Sequence, residues 1–174
     1  MNFVSETVML HLSEPPSVLV AEDDSNDAFF LRRAFARSAL PHRLFVVQDG
    51  VEAVSYLSGT DPYADRQKYP LPGLLLLDLK MPRMNGFDVL EWLQGRPDFN
   101  RLPIVILSGS DLECDAQKAR KLGADDYRVK SSDIVHLTKM LHELQTRWLN
   151  GHRKGAPDTA HGSQPLQLPL HYAS

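Results

Sequence analysis

Three short apolar runs and one short mixed stretch in this chain each stop at a residue able to do chemistry. Residues 18–21 (VLVA) run into Glu22-Asp23-Asp24, residues 74–77 (LLLL) into Asp78, residues 104–107 (IVIL) into Ser108, and residues 127–129 (YRV) into Lys130. Unbroken runs of this length suit strands buried on both faces. If such strands are parallel, their carboxyl ends share one edge of a sheet, about 4.8 Å apart between neighbours, and ligands bind outside that edge. Three carboxylates (Glu22, Asp23, Asp78), one hydroxyl and one ammonium then converge. Unit charges near 4 Å interact by roughly 4 kcal/mol at an effective dielectric of 20, so this excess of carboxylate favours a bound cation. An all-oxygen donor set with room for water suits Mg2+, and no His or Cys stands where a softer metal would need it. A site neutralised in this way can accept a phosphoryl dianion. Asp78, at the end of the central strand and directly ahead of a turn, is then the natural nucleophile for an acyl phosphate. Ser108 and Lys130 are each placed for one phosphoryl oxygen.

The elements that must hold these groups follow from the rest of the pattern. Leu44-Phe45-Val46-Val47 reads as one further strand. Ser25, Asn26 and Asp27 offer caps for a helix carrying Ala28, Leu31, Ala34 and Phe35 on one side. Residues 51–57 form a short second helix. Phe87, Leu90 and Leu93 recur at helical spacing until Gly95 and Pro97 end the run. Residues 112–122 are helical, with Gly123 as a left-handed cap. Ile134, Leu137, Leu141, Leu144 and Trp148 line the last helix. Five strands alternating with five helices make an α/β layer structure around a parallel sheet, and right-handed crossovers leave few orders. The expected fold is doubly wound and five-stranded, in the flavodoxin-like order 2-1-3-4-5.

At 174 residues, with a formal net charge of −3, 43% hydrophobic and 24% charged residues, the chain has the composition of one globular domain. Nothing supplies the cationic surplus of a nucleic-acid binder. Its single cysteine, Cys114, excludes a disulfide scaffold and suits a reducing, cytoplasmic setting. No basic amino-terminal region precedes an apolar core as in a secretory signal, and no apolar run approaches a membrane span. The expected organisation is an arm over residues 1–16, the folded domain over 17–149, and a flexible or docking tail over 150–174. Residues 59–73 form a connection longer than compact domains usually carry.

Four stretches, VLVAEDD (18–24), LLLLDLKMPRMNG (74–86), PIVILSG (103–109) and GADDYRVK (123–130), together give a specific likeness. In their order and spacing the chain resembles the receiver domain of two-component response regulators. That resemblance implies that Asp78 is the phosphoacceptor and Asp23 a direct Mg2+ ligand. Glu22 would act on the metal through water, and the Lys80 backbone carbonyl would be a third ligand. It makes Ser108 the switch hydroxyl, Tyr127 the switch aromatic and Lys130 the family's lysine. It further implies a sensor histidine kinase as phosphodonor, output through the face made by helix 4, strand 5 and helix 5, and no catalysis beyond assisting the domain's own phosphorylation and hydrolysis. The loop around Pro62-Tyr63 and Tyr69-Pro70, with Trp148, resembles small receivers that partner bacterial phytochrome-type kinases.

Two positions depart from the pattern. Ser131 replaces the usual proline after the lysine, so that peptide is expected to be trans, which puts the reach of Lys130 in question. Gly109 replaces alanine beside the switch hydroxyl, leaving that loop more open. Each site residue also has an ordinary reading when taken singly: Asp78 as a strand-end turn residue, Asp24 as a helix cap, Tyr127 as packing. The leucine seam of the last helix fits packing on the sheet, yet its 3-4 repeat also suits a homodimer, and Trp148 is expected beyond the sheet edge, free for a partner. A phosphorylation-independent receiver-like scaffold or dimerisation module is the rival reading. A metal-dependent phosphatase of the haloacid-dehalogenase-like type needs a second carboxylate two residues after the nucleophile, where Lys80 stands.

Overall fold

Residues 14–150 are described by the structure, a computed structural model, so most of the expected arm and nearly all of the expected tail lie outside the described residues. Five strands, β1 (Ser17–Ala21), β2 (Leu44–Val47), β3 (Pro72–Asp78), β4 (Ile104–Ser108) and β5 (Asp126–Val129), alternate with five helices. The helices are α1 (Ser25–Ser38), α2 (Gly50–Ser58), α3 (Gly86–Gln94), α4 (Glu113–Lys121) and α5 (Ile134–Leu144). All strand pairs are parallel and the order is β2-β1-β3-β4-β5, the doubly wound flavodoxin-like sheet.

Alternation along the strands explains why the apolar runs are continuous, because both faces are covered. Leu19, Ala21, Leu75, Leu77, Ile104 and Ile106 face α2, α3 and α4, where Ala53, Tyr56, Leu57, Val89, Leu90, Leu93 and Ala119 meet them. Val18, Val20, Leu74, Leu76, Val105 and Leu107 face α1 and α5, against Leu31, Ala34, Phe35, Leu137, Met140, Leu141 and Leu144. Burying each such leucine or valine stabilises by about 1.5–3 kcal/mol, so the central strands are held firmly and their ends with them.

The leucine seam of α5 is therefore used within the chain, with Leu137, Leu141 and Leu144 all buried on the sheet. Helix α5 stops at Leu144, where a wider π-type turn, Gln145–Leu149, replaces the expected continuous helix. That turn carries Trp148 and Leu149 back onto the α1/α5 core, so Trp148 is half-buried rather than lying free beyond the sheet edge. Together with Pro16, Pro72, Phe99 and Pro103 they line a cavity of about 450 Å³ at the amino-terminal edge of the sheet, remote from the strand ends that carry the chemistry. A 3-10 turn at Pro97–Phe99, absent from the expected pattern, precedes β4.

The long connection between α2 and β3 is not loose. Tyr63 meets the Tyr56 ring at a tilt and Tyr69 meets it edge-on, with ring centroids 5.1 and 6.0 Å away, and both pack against the core. The Tyr56 hydroxyl donates to the Pro70 carbonyl at 3.0 Å, and burial pushes its pKa up to about 12. Arg66 donates to the Tyr56 and Leu57 carbonyls, at 2.8 and 2.7 Å, adding to the Gly59 N–H on the first and satisfying the second, which the end of α2 leaves open. Arg66→Met is expected to lower the unfolding free energy by about 1–3 kcal/mol, the cost of orphaning the Leu57 carbonyl and losing one of two donors to that of Tyr56, as read by urea denaturation. A change under about 0.5 kcal/mol would show that water replaces the guanidinium there.

Candidate functional site

Register places the strand ends side by side. Ala21 pairs with Leu77, so Glu22 abuts Asp78; Asp78 pairs with Leu107, one residue before Ser108; Ser108 pairs with Val129, one residue before Lys130. Glu22 and Asp78 are 2% and 4% exposed, whereas Asp23 faces solvent. One carboxylate oxygen from each of the three lies within 4.8 Å of the others. A divalent cation fits such an all-carboxylate donor set, with the exposed side at Asp23 leaving access for ion and water.

Lys130 crosses the site. Its Nζ lies 2.8 Å from Glu22, 3.1 Å from Asp78 and 3.0 Å from Asp27. The Lys130–Ser131 peptide is trans, yet the ammonium reaches the pocket. Its backbone N–H donates to the Ser108 carbonyl at 2.7 Å, tying the two strand ends together. Ser108 is fully buried, and its Oγ accepts from the Ser110 N–H at 3.1 Å. A Cβ on Gly109 would meet nothing within 4 Å, so that position is open, as expected. Tyr127 is half-buried and donates its hydroxyl to the Ser110 carbonyl at 2.8 Å, which connects β5 to the loop after β4.

The loop after Asp78 is shaped by close backbone approaches. Gly86 donates to the Leu79 carbonyl at 3.1 Å, and a Cβ there would lie 2.3 Å from the Asp78 carbonyl oxygen. Asn85 begins α3 with a capping box shared with Asp88. Arg83 takes a left-handed backbone, φ 63°, and pairs with the buried Asp49 at the start of α2. Lys80, in the same loop, has an exposed side chain.

Burial dominates the electrostatics. It pushes the Glu22 carboxyl up to about 7, against the pull of Lys130. It also raises Asp78, with Lys130 and the Lys80 and Leu79 N–H groups working the other way. Burial disfavours the Lys130 charge, but hydrogen bonds to Glu22 and Asp27 and the charge of Asp78 outweigh it and raise its pKa. Asp24 is held below the usual carboxylate range by the Asp27 and Asn26 N–H groups and is the actual N-cap of α1. That leaves Asp27, expected as a cap candidate, free to turn inward to Lys130. It is not among the expected site residues, although a carboxylate one helical turn beyond a capping Asp is visible in the sequence.

The model of the response regulator receiver domain family matches residues 18–142. This chain belongs to that family. Response regulator Rcp1 of Synechocystis sp. is 33% identical over 138 residues, spanning 79% of this receiver and 92% of Rcp1. Response regulator RPA3017, described in red light signaling of R. palustris, is similar at 34% identity and TM-score 0.73, over 78% of this chain and 94% of that one. The phosphorylated cyanobacterial phytochrome response regulator RcpA aligns at 32% identity and TM-score 0.70, over 78% and 95%. The structure of Rcp1 in its Mn2+-bound form aligns at 31% identity and TM-score 0.67, over 79% and 96%. The receiver thus has the role of a two-component response regulator, which implies a histidine kinase partner, and its acidic cluster suits a divalent metal. Among the described residues no helix is long and apolar enough to cross a membrane.

The raised carboxyls predict how the metal-free receiver responds to pH. With Glu22 near 7 when folded and 4.5 as its ordinary value, the folded state holds the extra proton between those values. Stability therefore falls as pH rises through that window, by up to about 3 kcal/mol. Asp78, also raised, acts in the same direction. Urea unfolding from pH 5 to 8 in chelator is expected to show the fall, and Glu22→Gln to flatten it. A pH-independent wild type would mean that Lys130 compensates both carboxylates fully.

Proposed function

We propose that Asp78 is the phosphoacceptor of this receiver and that its phosphodonor is the phosphohistidine of a phytochrome-type histidine kinase. The observation that carries this is Asp78 itself: 4% exposed at the end of the central strand, with Lys130 Nζ 3.1 Å away and Glu22 and Asp23 in one cluster. The descriptions of RcpA, as a phytochrome response regulator, and of RPA3017, in red light signaling, support the kinase class.

In this reading Mg2+ is the cation, held by Asp23, Asp78 and the Lys80 backbone carbonyl, with Glu22 acting through water. Its chemistry there is to neutralise charge on the phosphoryl oxygens. An Asp78 carboxylate oxygen forms the new bond to phosphorus while the P–N bond of phosphohistidine breaks, and the imidazole nitrogen keeps the electron pair. Lys130 pairs with one phosphoryl oxygen and the Ser108 hydroxyl donates to another. Moving Ser108 shifts the loop that holds the Tyr127 hydroxyl, so the aromatic ring is released to turn inward. The receiver assists its own phosphorylation and later hydrolysis and is otherwise not an enzyme.

Output is by protein contact. Leu112, Val129 and Val135 are 58%, 49% and 64% exposed around α4, β5 and α5, an apolar scatter that suits a partner or a second copy of the chain. A phosphorylation-independent scaffold draws its support from Ser131 and the long α2–β3 connection, and Ser131 does not keep Lys130 from the pocket.

Incubation with acetyl phosphate and Mg2+ is expected to add one phosphoryl group, about 80 Da, to the intact mass. Chelator and Asp78→Asn should each abolish the gain. Persistence of the gain in Asp78→Asn would move the acceptor elsewhere. No gain from either acetyl phosphate or a phosphohistidine donor would return the protein to the scaffold reading.

A further inference from the structure

Lys130 has three N–H donors and three carboxylates around it, but only Glu22 and Asp78 belong to the strand ends. The third, Asp27, stands on the first turn of α1, 3.0 Å from Nζ. We propose that Asp27 is a positioning residue that holds the Lys130 ammonium at the phosphoryl pocket while its other two partners are engaged elsewhere. The inference rests on the phosphoacceptor reading above.

Three observations carry it. First, the Asp27 carboxylate is not spent on capping, since Asp24 caps α1, and among the described residues Lys130 is its one partner. Secondly, α1 is a firm base, pinned to the sheet by the buried Leu31, Ala34 and Phe35. Thirdly, the lysine runs through a cleft shared with Glu22, Asp27, Leu31, Leu107, Leu137 and Met140 that leaves only about 10 Å³ free. After Lys130, Ser131 lacks the ring that would fix its own backbone, and its Oγ accepts from the Asp133 N–H at 3.1 Å, a restraint on the loop that leaves the lysine side chain itself untouched.

The need for a third partner follows from the reaction. Once Asp78 carries the phosphoryl group, its carboxylate charge is lost to the acyl bond. Glu22 is in the carboxylate cluster that suits a divalent cation. Asp27 takes part in neither process, so it keeps its hold on the ammonium before and after transfer. Removing it leaves Lys130 tied to groups whose own engagement changes during the cycle.

The test is a double-mutant cycle on phosphoryl uptake from acetyl phosphate with Mg2+, followed by intact mass. Asp27→Asn is expected to slow uptake at least fivefold in the otherwise unaltered protein and less than twofold in a Lys130→Ala background. A folding defect or a loss of helix stability would persist in that background. Equal slowing in both backgrounds, or less than twofold slowing in the Lys130 protein, would overturn the proposal. A second readout needs no phosphorylation: 15N NMR of the metal-free protein should show a slowly exchanging Lys130 ammonium that disappears in Asp27→Asn. Its persistence in that variant, or its absence from the wild type, would equally overturn the proposal. If the wild type takes up no phosphoryl group from acetyl phosphate or from a phosphohistidine donor, the function reading fails on its own, and the NMR arm still decides whether Asp27 holds the lysine.

Discussion

Glu22 and Asp78 lie almost sealed from water on adjacent strand ends, and two carboxylates so placed repel each other unless a cation lies between them. Lys130 supplies part of that compensation. Replacing it by a neutral side chain would leave two buried acids with only backbone donors, and would remove the pull that now opposes the rise in both pKa values. The remaining architecture can be viewed as the means of holding this arrangement. A doubly covered parallel sheet brings the ends together, and the burial that rigidifies the strands also raises the cost of each charge placed there. One lysine does not balance the acids around it. The residual negative charge makes the pocket receptive to a divalent ion, which is the state best suited to admit a phosphoryl dianion.

Backbone packing keeps the acids in place. Gly86 sits where any side chain would strike the Asp78 carbonyl, and Gly50 sits where one would meet the Met84 carbonyl oxygen at 2.4 Å. The loop between Asp78 and α3 is thus pressed against its own strand end and against the start of α2. The left-handed backbone at Arg83 is held by the ion pair with Asp49. These contacts remove slack from the segment that carries Lys80, and they do so without lengthening any element.

Much of this was legible in the sequence because it depends on one-dimensional regularities. Strands covered on both faces show as unbroken apolar runs, and the residue ending each run lands at the sheet edge once the strand order is known. Glu22, Asp23, Asp78, Ser108 and Lys130 could be found in that way. Asp27 could not, since its role depends on how α1 docks across β1 and on Asp24 taking the cap. The turn of Trp148 back under the sheet was hidden for a similar reason: a 3-4 repeat continues through residue 148, but the hydrogen-bond pattern changes at Gln145. The long α2–β3 connection showed its tyrosines plainly, yet the guanidinium that ties them to α2 comes from a separate interaction that no periodicity marks.

The short hydrogen bond from the Lys130 N–H to the Ser108 carbonyl has a mechanical consequence. Two residues that arrive on different strands are joined at the base of the pocket, so a shift that separates their backbones must break this bond, at about 1 kcal/mol. A backbone displacement at one strand end is thus felt at the other, and a ligand that draws on the Ser108 hydroxyl and the Lys130 ammonium together pulls along a path the backbone already joins.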